Sequence, residues 1–117
     1  MCNQTTLNKI LKEIRKVYEE VYGDKLVKVV LYGSYARGDY DNESDIDIVG
    51  IVDENRIDTQ SKIKKIGKVA SDLGMENDIY ISLTAIPYDE YKKYMSYVAY
   101  YRNIEREGIE ISAWFRK

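Results

Sequence analysis

The chain has 117 residues, 44% of them hydrophobic and 32% charged, a balance that suits a folded domain with its own core rather than a disordered segment. Acidic side chains number 20 against 18 basic ones, a net charge of −2, which speaks against a general nucleic-acid-binding surface. Histidine is absent and Cys2 stands alone, so Ser-His-Asp and Cys-His chemistry, an intrachain disulfide and His- or Cys-rich metal sites are excluded.

Any metal held here is therefore held by oxygen, which points to a hard ion such as magnesium. No apolar run approaches the ~20 residues of a membrane span and no signal-peptide pattern opens the sequence. One cytoplasmic domain over residues 1–117 is expected.

In chain order, Leu7, Ile10, Leu11, Ile14, Val17, Tyr18 and Val21 recur at helical spacing and predict an amphipathic helix, closed by Gly23. Leu26–Tyr32 is a β-branched run that stops at Gly33, and Ser44–Val52 reads as a second strand. Between them lies a short irregular stretch with room for one helical turn. Ile63, Ile66, Val69, Ala70 and Leu73 predict a second helix closed by Gly74, and Asp78–Leu83 alternates as a third strand. Pro87 suits the first residue of a further helix, whose stripe runs through Tyr91, Tyr94, Tyr97, Tyr101 and Ile104 toward Gly108. Ile109–Ile111 reads as a short last strand, with Trp114 and Phe115 available to close the core. This order predicts an α/β domain, a small mixed sheet with helices against it.

The chemistry concentrates in Gly33-Ser34 and Asp45-Ile46-Asp47. Side chains alternate along a strand, so Asp45 and Asp47 share one side while Ile46 and Ile48 point into the core. Two adjacent carboxylates repel, and a divalent cation between them turns that cost into a binding site. Asp78 is expected on the polar face of the third strand; if that strand pairs with the second, its carboxylate stands about 5 Å away. Three such carboxylates hold two metals for in-line phosphoryl transfer. Gly33 lets the backbone approach a phosphate closely, the Ser34 hydroxyl can donate to a phosphate oxygen, and Arg37 can stabilise triphosphate charge.

With Gly33-Ser34-Tyr35-Ala36-Arg37-Gly38 followed by Ser44-Asp45-Ile46-Asp47-Ile48, the chain resembles the polymerase-β-like nucleotidyltransferases, and most of all the minimal nucleotidyltransferases often encoded beside HEPN-domain proteins. The resemblance runs from the first helix to the Tyr101–Ile109 tail. It implies that Asp45, Asp47 and Asp78 bind two magnesium ions as catalytic carboxylates, and that Gly33 and Ser34 hold the triphosphate of ATP. It further implies an antitoxin that adenylylates a tyrosine of a HEPN ribonuclease toxin.

Each residue also has a plainer reading. Asp45 and Asp47 can be exposed strand carboxylates, Asp78 a turn residue, and Ser34 a helix cap, which is compatible with phosphate binding. Arg37 can pair with Asp39 or Asp41. Asp39, Asp41 and Glu43 suit a solvated loop, and Lys62, Lys64, Lys65 and Lys68 a solvated helix face. Most tyrosines of the C-terminal stripe suit the core, whereas Tyr100 falls off it and suits an interface. Three functions compete with protein adenylylation: neutralisation of a partner by contact alone, nucleotidylation of an antibiotic-type small molecule, and RNA tailing, which the acidic balance disfavours. The small-molecule reading needs a further substrate-binding surface from a partner or a homo-oligomer. The choice of nucleotide, and of magnesium or manganese, is not encoded in any motif.

Overall fold

The computed structural model describes residues 3–111. Helix α1 spans Gln4–Tyr22; the Asn3 side chain caps it by accepting from the Thr6 N–H at 2.8 Å, and Gly23 ends it at φ 57°. A 3-10 turn, Gly23–Lys25, leads into strand β1, Leu26–Tyr32. The one-turn helix α2, Ser34–Arg37, and a loop separate it from β2, Ile46–Val52. Helix α3 covers Arg56–Asn77, β3 Ile81–Pro87, α4 Tyr88–Tyr94, α5 Ala99–Glu107 and β4 Ile109–Glu110.

The four strands form one mixed sheet in the order β3-β2-β1-β4. β1 runs antiparallel to β2 and β4, while β2 and β3 are parallel, joined by α3 as the crossover that parallel neighbours require. β2 is central and covered on both faces, which explains why Ile48, Val49, Ile51 and Val52 form a nearly unbroken apolar run. On one face Ile46, Ile48, Val29 and Leu31 pack with α1 and α3. On the other, Val30, Val49, Ile51 and Ile86 pack with Tyr91 of α4 and Ile104 of α5.

Tyr18 pins the first face. It is fully buried in the middle of α1, and its hydroxyl donates to the Thr84 carbonyl at 2.8 Å. Burial pushes its phenol far above the ordinary tyrosine range, with the neighbouring Tyr22 adding to the effect. The Tyr18 ring occupies the space where a Cβ on Gly50 would stand, so β2 passes directly over it.

The mixed sheet is as expected, but three boundaries move. Helix α3 does not stop at Gly74. That glycine lies inside the helix because a Cβ there would fall 2.5 Å from the Ile79 carbonyl oxygen, and the returning chain needs the space. The Ile79 N–H donates to the Gly74 carbonyl at 2.9 Å, and Asp78 takes the C-cap in the left-handed region, φ 53° and ψ 49°. Aspartate tolerates that conformation better than most side chains. Asp78 is thus a helix cap and not the first residue of the third strand, which begins at Ile81 and runs on to Pro87.

The C-terminal helical stripe is two helices, with a break at 95–98 where Tyr97 and Val98 bond back to the Tyr94 carbonyl. Tyr91 is buried, but Tyr94 and Tyr97 are 42% and 81% exposed, so they do not pack into the core as expected. Pro87 closes β3 and caps α4 rather than starting it. Cys2, Trp114 and Phe115 lie outside the described residues. Among the described residues no helix is long and apolar enough to cross a membrane.

Gly50→Ala is expected to lower unfolding free energy by about 1–3 kcal/mol, the usual cost of forcing extra volume into a packed core. Urea denaturation of the variant beside wild type reads it, and an unchanged midpoint contradicts the packing of Tyr18 under β2.

Candidate active site

The site grows from the loop between β1 and β2. Gly33 ends β1 at φ 77° and ψ −154°, a conformation open to glycine, and caps α2. A Cβ at this position would lie 2.5 Å from Asp47 Oδ2, so the glycine is what allows the turn to close onto the carboxylate. The Ala36 and Arg37 N–H groups both donate to the Gly33 carbonyl at 3.1 Å, and the Gly38 N–H donates to that of Ser34 at 2.9 Å. Tyr35 anchors the turn: it is buried in the α1–α3 core and stacks on Tyr40, with ring centroids 4.2 Å apart.

The rest of the loop is held by Asp41. Its Oδ1 accepts from the Glu43 N–H at 2.9 Å, and its own N–H donates to Ser44 Oγ at 2.9 Å. This compact turn delivers Asp45 just ahead of β2, exposed, with Asp47 two residues on and half-buried. Ile46 and Ile48 face the opposite core, as the alternation requires.

Asp47 is electrostatically uncomfortable. Partial burial raises its carboxyl above the ordinary aspartate range, the Asp45 charge adds to this, and Arg37 opposes it. Oxygen ligands that repel one another in a half-desolvated position suit a divalent cation, so the donor set fits magnesium. Arg37 is exposed and shares its charge with Asp39 at 3.2 Å and Glu107 at 3.6 Å.

In the sheet, Asp47 is flanked by Tyr32 of β1 and Ser82 of β3. A cavity of about 170 Å³ opens there, lined by Tyr32, Asp47, Ser82, Thr84 and Tyr100 among others. Tyr100, at the start of α5, packs edge-on against Tyr32 with centroids 5.5 Å apart. Burial raises its phenol, and a hydrogen bond with the Thr84 side chain partly offsets the rise.

The structure thus brings together Gly33, Asp45 and Asp47, with Ser34 in the same turn and Arg37 within electrostatic reach. It does not bring Asp78 with them. That residue lines a different cavity, of about 700 Å³, between α3 and β3 with Ile63, Gly67, Gly74 and Leu83. Among the described residues no three acidic side chains cluster as a metal site. The β3 residue in register with Asp47 is Ser82, a hydroxyl where three converging carboxylates would need an acid. Thr84 and Tyr100 were not singled out as site residues from the sequence. Ser82 is visible in the sequence only as a polar position of an alternating strand, Thr84 falls beyond the expected end of that strand at Leu83, and Tyr100 is visible only as a tyrosine off the helical stripe.

A glycine turn closed against a carboxylate pair, at one end of a mixed sheet covered by helices, defines a class of protein built to transfer nucleotides. The sequence profile described as a nucleotidyltransferase domain matches residues 7–110, and the chain belongs to that family. It is 39% identical over 102 residues to a candidate protein adenylyltransferase of Methanocaldococcus jannaschii, spanning 87% of this chain and 95% of that one. A toxin–antitoxin structure determined with AMP-PNP superposes with a TM-score of 0.53 at 19% identity, over 86% of this chain and 70% of that one. A candidate nucleotidyltransferase of Sulfolobus solfataricus gives 0.52 at 20% identity, over 93% and 87%. At those identities the likeness concerns the fold.

Two outcomes test the geometry. Gly33→Ala meets both the positive φ and Asp47, and is expected to cost of order 1–3 kcal/mol of stability and to weaken nucleotide binding, read by thermal shift with and without magnesium and ATP. A raised Asp47 carboxyl binds its proton more tightly in the folded than in the unfolded chain. Without a cation, stability therefore falls as pH climbs from the ordinary carboxylate range through the raised value. Asp47→Asn is expected to melt above wild type in chelator at neutral pH, with the gap closing in acid. A wild type that melts higher at pH 7 in chelator contradicts this account.

Proposed function

We propose that the protein transfers AMP from ATP, with a divalent metal, onto a hydroxyl of a partner protein, and that the acceptor is a tyrosine of a HEPN-domain toxin for which this chain is the antitoxin. The observation that carries the transfer chemistry is the closure of the Gly33 turn onto Asp47, beside Asp45. The relative of Methanocaldococcus jannaschii described as a candidate protein adenylyltransferase supports a protein acceptor. The toxin–antitoxin determined with AMP-PNP supports the adenine nucleotide and the pairing.

Asp45 and Asp47 would hold magnesium, which when bound neutralises triphosphate charge and eases ionisation of the acceptor hydroxyl. The chain's own residues do the placing. Gly33 lets the α2 turn come close to the phosphates, and the Ser34 hydroxyl donates to a phosphate oxygen. Arg37 supplies positive charge at the rim. Asp47 lines the cavity that an incoming hydroxyl would enter, which places that hydroxyl beside the metal it would help to hold. We assign no third carboxylate to Asp78, since its cap position keeps it in another cavity.

A second reading has its own observation. Ser82 takes the position beside Asp47, and Tyr94 and Tyr97 are exposed on the C-terminal side, a pattern that suits an antitoxin acting by contact. Incubation with ATP, magnesium and a co-encoded HEPN-domain protein separates the two. Wild type is expected to label a tyrosine of that protein. Asp45→Asn/Asp47→Asn is expected to lose at least roughly a hundredfold in rate, because the lost charge stabilisation is worth several kcal/mol. Equal protection of cells by the double variant would falsify catalysis in favour of contact.

A further inference from the structure

The acceptor side of the cavity is not empty of hydroxyls. Tyr100 and Tyr32 both line it with Asp47. Tyr100 alone also lines, with Thr84, the neighbouring cavity of about 310 Å³ bounded by Arg56, Gln60 and Glu90. It is 38% exposed and forms part of the wall of both cavities. Thr84 and Asp47 line the smaller cavity with it, so the ring shares that space with the carboxylate.

The other tyrosines are placed differently. The Tyr18 hydroxyl is committed to the Thr84 carbonyl, and that of Tyr91 to Glu105 Oε2 at 2.6 Å. Tyr80, Tyr94 and Tyr97 are exposed but line neither of these two cavities. Tyr32 neighbours Asp47 in the sheet and packs edge-on against Tyr100, but it lines only the smaller of the two cavities.

We infer that Tyr100 is an intramolecular acceptor, and that the protein adenylylates its own Tyr100 when no partner hydroxyl occupies the cavity. The inference rests on the nucleotidyltransferase reading of the Asp45–Asp47 site. The step balances as a simple substitution at phosphorus. Tyr100 Oη forms a bond to the α-phosphorus of ATP, and the bond from that phosphorus to the bridging oxygen of the β-phosphate breaks. Pyrophosphate leaves with the electron pair, and the phenolic proton is released to solvent, to which Tyr100 is 38% exposed. Tyr100 offers one hydroxyl, so modification stops at one AMP per chain, and the adduct stands in the lining of the cavity that another acceptor would enter.

The test uses the intact protein with ATP and magnesium and no partner, followed by peptide mapping in a tandem mass spectrometer. The expected result is an AMP adduct on Tyr100, formed at a rate independent of protein concentration and lost in Asp45→Asn/Asp47→Asn. Tyr100→Phe loses the label, while Tyr97→Phe and Tyr80→Phe keep it. Mapping on wild type needs no variant to fold. An adduct on Tyr32 or any other residue overturns the inference, as does a rate that rises with protein concentration. If ATP and magnesium shift the melting temperature but no adduct forms, self-modification is wrong and the nucleotidyltransferase reading stands. Absence of any nucleotide-dependent shift removes both.

Discussion

The arrangement turns on a carboxylate kept where a carboxylate is least at ease. Asp47 sits between Tyr32 and Ser82 on the central strand of the sheet, half-buried and two residues from another acid. The apolar run of β2 that places it there also withholds the water that would solvate it. The loop before β2 adds a further constraint, since Gly33 folds its backbone onto Asp47 and leaves no space for a side chain. Arg37 relieves that strain in part, and the small, hard cation proposed above would relieve it further. What looks like a local motif is therefore an electrostatic tension stored across a turn and a strand.

That tension is set against apolar packing that tolerates little change. Tyr18 reaches from α1 beneath β2 to the Thr84 carbonyl of β3, tying the helix to the parallel strand pair. Tyr35 and Tyr40 stack to hold the α2 turn in the same core. Tyr100 closes the opposite face above Thr84. Aromatic rings thus support the site from both faces of the sheet, and Tyr18 adds a placed hydroxyl to its apolar area.

Much of this was legible in the residues. The 3.6-residue recurrence from Leu7 to Val21 and the β-branched run at Leu26–Tyr32 fall where α1 and β1 fall, because burial on one face dictates both patterns. Gly33 and the Asp45–Asp47 pair were legible because backbone conformation and side-chain alternation are local properties. Asp78 was misread for a local reason as well. Gly74 was taken as a helix end, whereas it is small to admit the Ile79 carbonyl, a contact that exists only once the chain has turned back. One further turn of helix then converts an apparent strand residue into a cap. Tyr100 is legible only as off the stripe, since its place depends on the break at 95–98 after which α5 packs on β1 and Tyr100 meets Tyr32. The exposure of Tyr94 and Tyr97 has the same origin.

The short pairing of β4 with β1 carries a consequence for how the molecule is assembled. Val30 and Leu31 receive Glu110 and Ile109, and Gly108 is packed against Val30, so the last described residues are stitched to one of the first strands. The cavity walls are drawn from β1, β2, β3 and α5, at positions 32, 47, 82 and 100, which meet only once the sheet has formed and α5 has packed on it. No nascent stretch emerging early in synthesis contains a finished cavity. A stretch of chain that ends before α5 therefore lacks one wall of the cavity.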